Sequence, residues 1–171
     1  MLRLSSNSIL KVGIGLILTF ALGVSSCAPA VYKEFSMGSV NFQSVSDNNS
    51  IVHLEAQGAG LLTNRRKFDA SSNALRSLLL QGVSGSIVCE YPLASAENRK
   101  VAERELEKLM NSGTYVRFIT YITETQVSGR VPDPVTKGYT SRRQKTYAIG
   151  INYVDLRRHF ESVGAIRKFG L

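Results

Sequence analysis

The stretch "IVHLEAQGAGL", residues 51–61, alternates: Val52, Leu54 and Ala56 fall on one side, and His53, Glu55 and Gln57 on the other. A period of two predicts a strand with one buried face and one wet face, and it turns His53 outward. Gly58 and Gly60 at its end mark either a bulge or a place where another backbone comes close. The period then becomes helical. In "NRRKFDASSNALRSLLLQG" the residues Phe68, Ser71, Ala74, Leu75, Leu78 and Leu79 form one stripe, and Gly82 supplies a stop. A second helix is expected in "AENRKVAERELEKLMNSG", capped by Ser95, striped by Ala102, Leu106, Leu109 and Met110, and ended by Gly113.

Two further strands follow. "TYVRFITYITETQV" sets Val116, Phe118 and Ile122 against Tyr115, Ile119 and Tyr121, which predicts a strand covered on both sides and therefore central. "QKTYAIGINY" sets Tyr147, Ile149, Ile151 and Tyr153 against Thr146, Ala148, Gly150 and Asn152. Between them, "SGRVPDPVTKGYTSR" reads as a long mobile hairpin loop. A last helix, "VDLRRHFESVG", places Leu156, Phe160 and Val163 on its stripe and leaves His159 off it, in solvent. The closing "AIRKFGL" is apolar enough to dock. The expected fold is α+β: a small, mainly antiparallel sheet of three or four strands packed by about three helices, as a single domain over residues 51–171.

The N-terminus follows another pattern. Arg3 and Lys11 precede an uninterrupted apolar run from Val12 to Val24, and Ser25 and Ser26 lead to Cys27. This is the anatomy of a secretory signal. At 13 residues the run is short of the roughly 20 that a bilayer-spanning helix needs. The tetrad "VSSC" resembles the lipobox of bacterial lipoproteins, which implies that residues 1–26 are a removed signal peptide and that Cys27 carries the lipid, palmitate among its chains. An ordinary secretory cleavage with Cys27 incidental is the alternative. Residues 27–50 then form the lipidated N-terminus and a polar, Ser/Asn-rich tether whose twenty-odd residues reach about 70 Å when extended. No acidic run follows Cys27, so nothing argues for display on the cell surface, and the periplasmic face of the outer membrane of a Gram-negative bacterium is the expected location.

Removing residues 1–26 leaves 19 Lys plus Arg against 13 Asp plus Glu, a net charge of +6. Such a balance often signals nucleic acid. An exported, tethered domain meets anionic lipid, lipopolysaccharide or acidic protein instead. With Cys27 acylated, Cys89 is the one remaining thiol, and its setting in "SIVCEYPL" suits a small buried core group.

Catalytic chemistry finds little support. Two histidines without second ligands at useful spacing give no metal site, and no serine stands in a G-x-S-x-G elbow. Glu103, Glu105 and Glu107, interleaved with Lys100, Arg104 and Lys108, read as a solvated charged face. No phosphate loop is present and no cofactor is implied. The distinctive chemistry is basic: Arg65, Arg66 and Lys67 at the strand-to-helix turn, and Arg130, Lys137, Arg142, Arg143 and Lys145 around the hairpin. Such charge serves solubility in many proteins; its alternative use is contact with an anionic partner.

A strand ending in G-x-G, a basic stretch, and an Ala-spaced helix finishing "LLLQG", over residues 51–83, resemble small bacterial outer-membrane lipoproteins related to the N-terminal domain of flagellar assembly protein T. The resemblance implies an α+β, non-enzymatic domain that helps build or stabilise an envelope machine. The expected function is thus a scaffold or assembly subunit of a cell-envelope complex, held to the membrane by its N-terminal lipid and partnered by an envelope protein. The alternative is a binding module for an anionic envelope component.

Overall fold

Alternation in residues 51–60 does produce a strand, and it organises the domain. In the computed structural model, residues 38–46, 48–86, 88–132 and 139–167 are described. Four strands, β1 (Val40–Val45), β2 (Ile51–Gly60), β3 (Ile119–Pro132) and β4 (Tyr139–Asn152), form one antiparallel sheet in the order β1-β2-β4-β3. Three helices complete it: α1 (Thr63–Arg76), α2 (Arg99–Ser112) and α3 (Tyr153–Ser162). This is the expected α+β class.

The core lies on one face of the sheet. Val52, Leu54 and Ala56 of β2 and Tyr147, Ile149 and Ile151 of β4 are fully buried, beneath Ala70, Ala74 and Leu75 of α1. Alpha-helical stripes at Ala102, Leu106, Leu109 and Met110 of α2 and at Leu156 and Phe160 of α3 join the same cluster. The small residues of α1 have a steric purpose: a Cβ on Gly58 would lie 2.0 Å from the Arg66 carbonyl oxygen and 2.7 Å from the Ala70 nitrogen. Of the two readings of Gly58, close backbone approach is the one realised. Asp69, buried in that contact, accepts the Ala59 amide at 2.8 Å.

Beyond Arg76 the helix widens into a π-helical turn, Ser77–Gln81, closed by the Gly82 amide donating to the Ser77 carbonyl. The widening leaves carbonyls to be satisfied elsewhere. Those of Leu78 and Leu79 accept the amides of Leu93 and Ala94, tying the following loop to the helix. Gly82 itself has φ 79° and ψ 167°, a conformation reserved to glycine.

Several expectations are corrected. The tether does not extend to residue 50, because Val40–Val45 pair with β2 as an edge strand. Ser95 does not cap α2; the helix starts at Arg99, with no side-chain cap on it. Thr114–Phe118 forms a 3₁₀ turn after the left-handed Gly113, and the strand begins only at Ile119. That strand is an edge of the sheet and not central, and Val116, in the turn before it, is 58% exposed. The hairpin arms are strand as far as Pro132 and Tyr139, where a long loop was expected. Val163 stands partly exposed beyond the end of α3, although the helix stripe included it. Ala165 and Ile166 are buried, so the closing segment docks at least that far; residues 168–171 lie outside the described residues.

Candidate functional site

Helices cover one side of the sheet, and the other side carries polar groups that bond to one another. Along β2 the outward positions are His53, Glu55 and Gln57, as the alternation requires. On β4 the facing positions are small: His53 pairs with Gly150 and Glu55 with Ala148. Larger side chains return on the far strand, with Tyr121 opposite Gly150. Small residues between two rows of large ones make a trough of about 450 Å³ lined by Gln43, His53, Glu55, Tyr121, Thr125 and Ala148.

Its groups hold each other in place. His53 Nδ1 lies 2.8 Å from the Tyr121 hydroxyl, with the two rings stacked at 5.7 Å between centroids. Glu55 accepts from the Thr125 hydroxyl at 3.0 Å and from Gln43 Nε2 at 3.3 Å. Gln144 donates to Gln57 at 2.5 Å. Such a floor offers donors, acceptors and one aromatic face to a partner.

Sequence reading found these residues only in part. Alternation in β2 pointed to His53, Glu55 and Gln57, but no local signal tells which strand lies beside Gly150. Sequence reading missed a second cluster altogether. His159 was expected in solvent, yet it is half-buried: Nε2 contacts Glu105 at 2.9 Å, Nδ1 contacts Arg117 at 2.7 Å, and the ring packs on Phe118 and Phe160. Glu105 is correspondingly drawn out of the solvated charged face of α2.

The basic residues separate into different roles. Arg66 is buried, 7% exposed, and its guanidinium donates to the carbonyls of Gly60 at 3.2 Å and Leu61 at 3.0 Å and to the Thr63 hydroxyl at 3.0 Å. It shapes the turn from inside and is not a surface contact, which corrects its inclusion with Arg65 and Lys67. Arg65 is exposed, with its guanidinium over Phe68, and Lys67 is half-buried. Lys145 is occupied by Glu124. Arg143 is exposed and pairs with Gly60 of β2 and with Arg130 of β3 in the strand register. Arg142 is the adjoining β4 position; Lys137 and Cys27 lie outside the described residues. The sheet thus brings the two basic segments of the sequence to one end.

Desolvation pushes the Cys89 thiol above its ordinary value, opposed by its hydrogen bond to Ser86. Burial likewise raises Tyr115 and Tyr153, the latter against the lowering influence of Arg157. Among the described residues no group of three His, Cys, Asp or Glu side chains is placed to hold a metal ion, and no helix is long and apolar enough to cross a membrane. Comparison with protein-family models, with curated proteins and with solved structures finds no match to this chain.

Proposed function

We propose that this chain is a non-enzymatic, lipid-anchored scaffold or assembly subunit of a bacterial cell-envelope complex, held at the periplasmic face of the outer membrane through Cys27. The single observation that carries the reading is the one-sided sheet. Its apolar residues are used up beneath three helices, while the opposite face offers a shallow, prearranged floor of Gln43, His53, Glu55, Tyr121 and Thr125. Preformed hydrogen bonds lower the entropy lost when a partner docks. A protein surface of matching polar groups is the occupant this floor suits, and the lipid on Cys27 would keep the domain where such partners assemble.

The test begins with the full-length protein in its own envelope, crosslinked mildly in the cell and purified. A near-stoichiometric protein partner is expected, whose recovery falls at least about tenfold, roughly 1.4 kcal/mol, in a Glu55→Arg, Thr125→Arg variant that keeps its circular dichroism. Recovery of the protein alone, or of a partner indifferent to those substitutions, overturns the role of this face. Absence of an acyl mass on Cys27 overturns the anchor.

A further inference from the structure

Two adjacent leucines stand out at the turn joining β2 to α1: Leu61 is 65% and Leu62 71% exposed. Isolated exposed leucines are ordinary, but a neighbouring pair on a fixed turn is a local apolar tip. The turn is fixed from within. Buried Arg66 donates to the carbonyls on both sides of the Gly60–Leu61 peptide junction and to Thr63, and its own amide donates to the Leu62 carbonyl at 3.1 Å.

Positive charge surrounds the tip. Gly60, the residue before it, pairs with exposed Arg143, and Arg143 faces Arg130 across the β3–β4 ladder. Arg65 is exposed and so near that a Cβ on Gly60 would lie 3.0 Å from its own Cβ. Neither residues 58–66 nor residues 128–132 and 139–145 include an acidic side chain.

The N-terminal chain enters at this same end. Val40 pairs with Ala56, and the Gln57 amide donates to the Ser39 carbonyl at 3.0 Å, which sets Gly38 a few residues from Gly60 along the sheet. Cys27 precedes Gly38 by 11 residues, a reach of at most about 40 Å.

We propose that this end of the domain is a contact surface for an anionic phospholipid bilayer. Leu61 and Leu62 enter the boundary between headgroups and acyl chains, while Arg65 and Arg143 meet lipid phosphates. Apolar side chains beside basic ones are the combination that holds a protein in that interface. An acidic protein would match the charges, but it gives two exposed leucines no apolar phase. The inference rests on the envelope reading for where a bilayer is met, while the surface itself is argued from Leu61, Leu62 and their basic neighbours.

The test uses the full chain reconstituted into phosphatidylcholine vesicles, with or without about 30 mol % phosphatidylglycerol. A polarity-sensitive fluorophore is placed on a Leu62→Cys variant, and the unsubstituted chain labelled in the same way supplies the background. Expected are a blue-shifted emission and quenching by brominated acyl chains in the anionic vesicles, reduced at least about threefold by roughly 0.5 M salt or by Arg65→Glu with Arg143→Glu. An Asp155→Cys label, next to Asn152 at the opposite end of β2, is expected to stay in water. Leu61→Ser is exposed enough to leave folding intact and is expected to weaken quenching at position 62. Equal emission in both vesicles, or equal quenching at positions 62 and 155, overturns the proposal, as does capture only by an acidic protein. The acyl mass on Cys27 and the partner recovery are read separately, so failure here is distinguishable from failure of the anchored-scaffold reading.

Discussion

The imidazole of His53 on β2 and the phenol of Tyr121 on β3 meet at 2.8 Å across β4, above Gly150. The contact exists because Gly150 has no side chain: a Cβ there would lie 2.4 Å from Tyr121 Cε1 and 2.7 Å from Cδ1. Tyrosine fills the space the glycine leaves, and its hydroxyl completes the span to the histidine.

Gly150→Ala is therefore expected to swing the Tyr121 ring away from His53 and to cost about 1 kcal/mol in denaturant unfolding. Tyr121→Phe alone costs about 0.5 kcal/mol, because the hydrogen bond is partly exposed to water. In the Gly150→Ala background the second substitution becomes nearly silent. Additive effects in that double-mutant cycle would mean that the hydroxyl contact does not depend on the glycine.

A larger penalty is expected where backbone, rather than a movable ring, occupies the space. Gly58→Ala sets a methyl against the Arg66 carbonyl oxygen at 2.0 Å, and relief requires α1 to lift off β2. Gly82→Ala meets the Glu90 carbonyl oxygen at 2.1 Å and also demands φ 79° with ψ 167°. Each is expected to cost about 3 kcal/mol or more. Gly113, left-handed at φ 74° but in open space, is expected to lose only about 1 kcal/mol on replacement by alanine. Thermal unfolding of the three variants gives the order directly, and a Gly113→Ala loss equal to the other two would contradict the role assigned to close approach.

Patterning in the sequence was sufficient for β2 and α2, where one face is buried and the other wet: Val52, Leu54 and Ala56, or Ala102, Leu106 and Leu109, repeat with the period of their element. It located α1 but not its depth, because Asp69 to Leu75 are all buried, polar residues included. It was insufficient where one residue serves two elements. Phe118 is buried from the 3₁₀ turn while Ile119 begins the strand, and that pair reads locally as continuous alternation. β1 was hidden because the bulge between Phe42 and Ser44 breaks its alternation, so that Val40, Phe42 and Val45 all pack toward the core out of a constant period of two. The site was legible only to the extent that β2 turned His53 and Glu55 outward. The contacts of His53 with Tyr121 and of His159 with Glu105 span 68 and 54 residues, and short-range periodicity has no information on such pairings.

Stability is expected to fall at alkaline pH. Burial raises the Cys89 thiol above 9.0 and the Tyr115 and Tyr153 phenols above 10.0, so the folded state retains protons that the unfolded chain releases. A raised value of this kind leaves its stabilising contribution fully present below the unfolded value and removes it as pH rises through the folded one. Denaturant midpoints should thus decline above pH 9, first through Cys89 and then through the tyrosines. Cys89→Ala is expected to remove the earlier part of the decline, and a midpoint that rises between pH 9 and 11 would contradict the assignment. The same burial predicts slow alkylation of Cys89 in the native protein at neutral pH.

His159 offers a test of side-chain chemistry rather than of packing alone. Arg117 has only donors, so the ring nitrogen it contacts, Nδ1, must accept, and the proton of the neutral imidazole is left on Nε2, where it donates to Glu105. Long-range proton–nitrogen correlation spectra at neutral pH are expected to report the Nε2–H tautomer for this residue. Arg117→Ala removes the donor that imposes the choice, and the Nδ1–H form is then expected to become populated. Because His159 joins α2, the 3₁₀ turn and α3, His159→Ala is expected to cost about 2 kcal/mol, more than Arg117→Ala at about 0.5–1 kcal/mol, since the arginine is exposed. An Nδ1–H tautomer in the unsubstituted protein would mean that Arg117 does not donate to the ring, and the linkage from Glu105 through His159 to Arg117 would then be absent in solution.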